Sequence, residues 1–280
     1  MRSPSCVCIL CIVSLASICL SKTDTWKVGA IPGGEAFLVL TPMEHRLDSI
    51  LEESHRWSLE RIANGSAYRE RFPDSVLRRF LQREKDEYRS PRDNRARFRI
   101  RSERNGKPDP EGMFRDTALP PMLCSCVLTE NGVARLQAGM WVFDGFKLQL
   151  ELDSSERIRS WFWEDQHKRA PFKRSLADTS LRDDVLVENV GQELQLAKPL
   201  RFVPGQMVVG RLAFRATPYF RSSEFRSWVK EGGYSDAIMD TIRTAGTMDF
   251  ICQLKACPPA DSATRWSRTN ERKWSDDPCR

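Results

Sequence analysis

The sequence predicts an α+β fold: an antiparallel, β-rich core, a sandwich or open barrel of seven or eight strands, with an N-terminal helical hairpin and two short C-terminal helices. Three observations carry this. Between Met122 and Asp153, Asn131-Gly132 and Asp144-Gly145 separate three apolar runs, and such dipeptides favour hairpin turns because their central residues tolerate positive φ. Within the third run, Phe146, Leu148, Leu150 and Leu152 alternate with Lys147, Gln149, Glu151 and Asp153, a period of two that gives one apolar and one wet face. Upstream, from Met43 to Tyr88, the apolar spacing changes to three and four residues, the period of helices.

Taken in order, residues 1–21 read as a signal peptide. Arg2 precedes the run Cys6–Leu20, too short for a membrane span of about 20 residues and suited to a secretory h-region. Cleavage after Ser21 is the expected outcome, with lipid attachment at Cys19 and a retained anchor as alternatives. No later stretch has the length and apolarity of a span. Residues 22–89 hold a short strand, Glu35–Leu40, and two amphipathic helices. The first carries Leu47, Ile50, Leu51, Trp57 and Ile62 on one face and stops at Asn64-Gly65, which with Ser66 forms an N-glycosylation sequon. The second follows Pro73-Asp74 with Val76, Leu77, Phe80, Leu81 and Tyr88 in line.

Residues 90–121 are rich in proline and are expected to form a linker or long loop. Inside this segment Arg95, Arg97, Arg99 and Arg101 alternate with Ala96, Phe98 and Ile100, so an extended chain presents four guanidinium groups on one face. The β-rich domain spans 122–257. After the meander, Arg157–Asp165 is read as a strand, with a helix capped by Asp153 as the alternative, Val185–Val190 and Gln192–Phe202 as two more strands, and Met207–Ala216 as the return from Pro204-Gly205. Two short helices are then expected, one capped by Ser222 or Ser223 and one from Ser235 to Gly246, before a last strand, Met248–Ala256. Residues 258–280 read as a disordered tail.

Composition narrows the function classes. The chain has 280 residues, 40% hydrophobic and 29% charged, with eight tryptophans, as expected of a chain with a packed core and a charged surface. The net charge of +6 is local: residues 89–107 carry eight basic groups against two acidic ones. Five cysteines follow the leader: Cys124, Cys126, Cys252, Cys257 and Cys279. In an exported chain they are disulfide candidates, with Cys252 to Cys124 or Cys126 and Cys257 to Cys279 as the economical pairs. Their spacing does not suit a zinc site.

No phosphate loop, dinucleotide fingerprint, His-Glu-x-x-His or Gly-x-Ser-x-Gly motif is present. His45 and His55 lie about 15 Å apart along one helix by helical rise, too far to share a metal. No metal or cofactor is expected. Two constellations remain. Arg95, Arg97, Arg99 and Arg101 together suit phosphate, sulfate or carboxylate groups. Trp161 and Trp163, near His167, suit a ligand platform. The expected protein is therefore a non-catalytic binding or structural protein, secreted or held in the cell envelope. Its partner is an anionic polysaccharide, lipid head groups or an acidic protein, and not nucleic acid. A hydrolase whose site assembles only in the fold is the alternative.

Overall fold

A computed structural model describes residues 25–31, 39–65, 70, 73–87, 92–109, 114–119, 121–141, 144–166, 172–179, 181–222 and 238–257. It is mostly antiparallel β-sheet with few helices. Strand β1 (Trp26–Val28) is followed by helices α1 (Pro42–Asn64) and α2 (Asp74–Glu87). Then come β2 (Asn94–Arg104), β3 (Lys107–Pro108), β4 (Arg115–Ala118), β5 (Met122–Leu128), β6 (Ala134–Trp141), β7 (Asp144–Leu152) and β8 (Ile158–Gln166). The chain ends with β9 (Phe172–Lys173), β10 (Asp184–Leu196), β11 (Met207–Ala216), β12 (Tyr219–Ser222) and β13 (Met239–Ala256).

The strands close into a barrel. Going round, β2, β5, β6, β7, β8, β10, β11 and β13 each pair antiparallel with the next, and β13 pairs back on β2 over Ile242–Cys252 against Asn94–Arg104. Neither the sandwich nor the open barrel expected from sequence is formed, because the β2–β13 ladder removes both free edges. Beyond the start of β2, β13 reaches β5 directly and pairs with it in parallel, Leu254 to Cys126. Closure needs sharp coiling, and glycine supplies it. A Cβ on Gly246 would overlap the Arg99 carbonyl oxygen, and one on Gly139, at φ +158°, would overlap that of Phe146.

The lumen is packed with side chains. Phe98 and Phe114 each meet Phe146 edge-on at 5.0 Å, and Phe162 stacks on Phe146 at 6.4 Å and on Phe214 at 6.0 Å. Leu136, Leu148, Leu150, Leu212, Met248 and Phe250 complete the core, all fully buried. The outer face instead carries charged and amide groups, including Arg97, Arg135, Gln149, Glu151, Arg211 and Asp249. That sidedness is the reverse of a transmembrane barrel, whose outside is apolar. Among the described residues no helix is long and apolar enough to cross a membrane.

Several expectations are corrected. The 90–121 segment is not simply a loop: it holds β2, β3 and β4, with Pro108 inside β3 and Pro121 immediately before β5. Of the helix expected from Ser235 to Gly246, the part from Met239 onward is instead the first half of β13, with Ile242 and Thr244 fully buried and Gly246 inside the ladder. The helix expected after Ser222 falls at 223–237, outside the described residues. Residues 184–196 form one strand broken by a bulge between Asn189 and Gly191, not two strands. Gly145 pairs with Trp141 and so already stands in the β6–β7 ladder, which means that Asp144-Gly145 is not the central pair of a two-residue turn. The Asn131-Gly132 turn places only Gly132 at positive φ, +73°, in a loop closed by Thr129 and Val133. Ile50 and Trp57, expected to be buried, are 52% and 56% exposed on α1. The leader at 1–21, the strand expected at 35–40 (apart from its last residues) and the tail at 258–280 lie outside the described residues.

The N-terminus of α1 is fixed to the barrel. Thr41 caps the helix, and its backbone N–H donates to the Glu44 carboxylate while its hydroxyl accepts from the Glu44 N–H. The same carboxylate accepts two bonds from the Arg97 guanidinium on β2, at 2.7 and 2.8 Å.

Candidate anion-binding face

The alternation along β2 arises because Ala96, Phe98 and Ile100 enter the lumen, which turns Arg95, Arg97, Arg99 and Arg101 outward. The four then separate by environment. Arg95 is 3% exposed and donates to the Arg92 carbonyl oxygen; burial lowers its pKa, against the pull of Glu44. Arg97 is held by Glu44. Arg99 and Arg101 are exposed.

The ladders place further residues beside the exposed pair. In register across β10, β11, β13 and β2 run Glu193, Ala213, Thr247 and Arg99, and then Gly191, Arg215, Ala245 and Arg101. Small residues thus lie between the charged ones. The result is a shallow depression of about 400 Å³ on the outer wall, floored by Ala213, Ala245, Gly246 and Thr247 and rimmed by Arg99, Arg101, Arg215 and Glu193. On the far side of β2, β4 puts Arg115 at the register position of Arg101. In the next row the charges are paired: Arg211 binds Asp249 at 2.8 Å, and Arg97, opposite Asp249 across the ladder, is held by Glu44. Arg99, Arg101 and Arg215 make no ion pair or side-chain hydrogen bond among the described residues.

The second expected constellation is less open. Trp161 and Trp163 are half-buried on the outer face of β8. Trp163 donates its indole N–H to Asp184 at 2.9 Å, and the Arg159 guanidinium lies 4.9 Å over the Trp161 ring. His167, the third member of the expected platform, lies outside the described residues. Cys124, Cys126 and Cys252 are corrected from disulfide candidates to buried free thiols. Their strands are neighbours, but the Cys124 thiol donates to the Ile251 carbonyl oxygen at 3.2 Å and Cys252 faces Asn94 Oδ1 at 3.5 Å. Cys257 directly follows β13, and Cys279 is outside the described residues. No group of three or more His, Cys, Asp or Glu among the described residues could hold a metal.

A buried charge cluster has no counterpart in the sequence reading. At the end of the barrel reached by β12, Arg221 pairs with Asp109 and lies 3.8 Å from Glu164. The Tyr219 hydroxyl donates to Glu164 and meets Thr244 at 3.2 Å, and Thr244 in turn meets Ser102 at 3.2 Å. Burial, reinforced by the Glu164 charge, holds the Tyr219 hydroxyl far above its usual pKa, so it stays protonated. These groups are sealed from solvent: the Arg221, Asp109 and Glu164 side chains are 5%, 0% and 2% exposed. A second surface hollow, about 370 Å³, lies between α1 and α2 and is lined by Glu52, His55, Leu59, Glu60, Leu81 and Lys85.

Compared with known protein families, curated proteins and solved structures, the chain has no match.

Proposed function

We propose that this is an exported, non-catalytic binding protein of the cell envelope or extracellular space, which engages an anionic polymer or surface through the arginine-rimmed depression on its barrel wall. The observation that carries the reading is the set of three exposed guanidinium groups, Arg99, Arg101 and Arg215, which make no ion pair among the described residues and stand on a closed sheet around a floor of small residues. Unpaired arginines at fixed spacing offer paired N–H donors to phosphate, sulfate or carboxylate with little ordering cost. Export rests on the leader-like first 21 residues, and Cys257 with Cys279 is then the pair that would close the tail. The hydrolase alternative rests on a different place: the buried acids Glu164 and Asp109 are out of reach of a substrate, which leaves Glu52, His55 and Glu60 in the hollow between α1 and α2 as its candidates.

The test is the affinity for dextran sulfate, measured over a range of salt concentrations, for the mature protein and for an Arg99→Ala/Arg215→Ala variant. Two exposed charge contacts at about 0.5–1 kcal/mol each correspond to a loss of about five- to thirtyfold. The wild-type salt dependence should be the steeper. Equal affinity and equal salt dependence for the two proteins would remove the proposal.

A further inference from the structure

The rim of the depression is not uniformly basic, and that narrows the ligand. Glu193 stands on β10 in register with Ala213, Thr247 and Arg99, three strands from Arg99 and therefore roughly 14 Å away at the usual interstrand spacing. It is exposed, and it makes no ion pair or side-chain hydrogen bond among the described residues, although Arg215 stands one row further along the neighbouring strand. The floor between the two poles is Ala213, Ala245, Gly246 and Thr247, flat and largely free of polar side-chain atoms. The same outer wall carries Asp249 and Glu103 beside the arginines.

Such a rim opposes a uniformly anionic partner. A phospholipid surface or a polyphosphate would bring negative charge to Glu193 as well as to the arginines, and like charges brought together cost free energy. A sugar ring bearing one sulfate or phosphate fits both poles. Its anionic group lies between Arg99, Arg101 and Arg215, its C–H face rests on the alanine–glycine floor, and its hydroxyls donate to the Glu193 carboxylate. The volume of about 400 Å³ falls within the range of small-ligand sites.

We infer that the depression is a subsite for a sulfated or phosphorylated glycan, with the arginines binding the anionic substituent and Glu193 accepting from the hydroxyls of the sugar. This rests on the anion-binding reading above and names its ligand class.

The experiment compares wild type, Glu193→Ala and Arg99→Ala/Arg215→Ala by titration with four probes. These are κ-carrageenan oligosaccharides, which carry a single sulfate on alternate sugars and no carboxylate, the same oligosaccharides desulfated, inorganic polyphosphate, and phosphatidylserine vesicles. Glu193 is a surface side chain, and thermal melting checks that each variant folds. Loss of a charged acceptor should weaken the sulfated oligosaccharide about tenfold. The same change should leave polyphosphate and vesicle binding unchanged or stronger, since a repulsive charge is gone. Desulfation should abolish binding to the wild type. If Glu193→Ala strengthens binding to the sulfated oligosaccharide as it does to polyphosphate, the depression attracts charge alone and the glycan assignment is overturned. Tighter wild-type binding to vesicles than to the oligosaccharide overturns it in favour of a lipid surface. If instead the double arginine variant binds every probe as wild type does, it is the anion-binding reading itself that fails.

Discussion

Replacing Arg221 with Met should be among the most damaging single changes in the barrel. The methionine keeps most of the volume and removes the charge. Arg221 is the cation of a cluster in which the Asp109 and Glu164 side chains are 0% and 2% exposed, and it donates directly to Asp109. Without it two carboxylates remain in a site closed to water, beside Tyr219, which is fully buried. Breaking a buried pair from one side costs about 3–5 kcal/mol. For a domain of this size each kcal/mol moves Tm by about 2–4 °C, so the expected fall is about 6–20 °C. The carboxylates can escape by taking up protons, so the loss should be larger at pH 8 than at pH 5. Adding Asp109→Asn should restore part of the stability lost by Arg221→Met, and this non-additivity isolates the pair. Urea and thermal unfolding of the wild type, the two single variants and the double supply all four corners. A fall of less than about 1 kcal/mol for Arg221→Met, unchanged between pH 5 and 8, would refute the reasoning.

Other consequences are as direct. Under native conditions a thiol reagent should label none of Cys124, Cys126 and Cys252, and in denaturant without reductant it should label all three; mass spectrometry reads the count, and a protected cysteine among them contradicts the assignment. Glu44 has a pKa below the usual carboxylate range: burial opposes the charge, but the bonds from Thr41 and Arg97 outweigh it. Its contribution to docking α1 is therefore present above the unfolded pKa and lost as pH falls through the lower, folded value. Glu44→Ala should weaken the first turn of α1 by about 1–2 kcal/mol, seen as faster amide hydrogen exchange at residues 44–48 with the barrel core unchanged. Gly246→Ala must push β13 away from the Arg99 carbonyl and should cost about 1–3 kcal/mol; a stability equal to wild type would show that closure does not need the close approach.

Some of this was legible in the sequence because it is local. The outward arginines of β2 and the inward residues of β7 follow from a period of two, whatever the strand's neighbours. The site was only half legible. Arg215 joins Arg99 and Arg101 through β13, whose pairing with β2 links residues such as Ile242 and Arg104, far apart in sequence. No spacing rule reveals that. The same ladder closes the barrel, so closure was hidden too. The start of β13 was misread because Ile238, Met239 and Ile242 also fit a helical step, and Gly246 looks like a helix stop when it is a coiling point. Thr244 sits in the lumen beside Tyr219 and breaks the apolar alternation that would have marked a strand. The Arg221 cluster left no trace, since Asp109, Glu164 and Arg221 meet only after the end of the barrel is assembled.

The central claim is that the arginines on the barrel wall form an organised site and not merely solvated charge. It is tested most directly by the salt needed to elute the mature protein from immobilised dextran sulfate, set beside a sulfonate exchanger of matched charge density. Elution from dextran sulfate should need clearly higher salt than elution from the exchanger, with the difference abolished in the Arg99→Ala/Arg215→Ala variant. Elution of the wild type at the same salt from both matrices would contradict it.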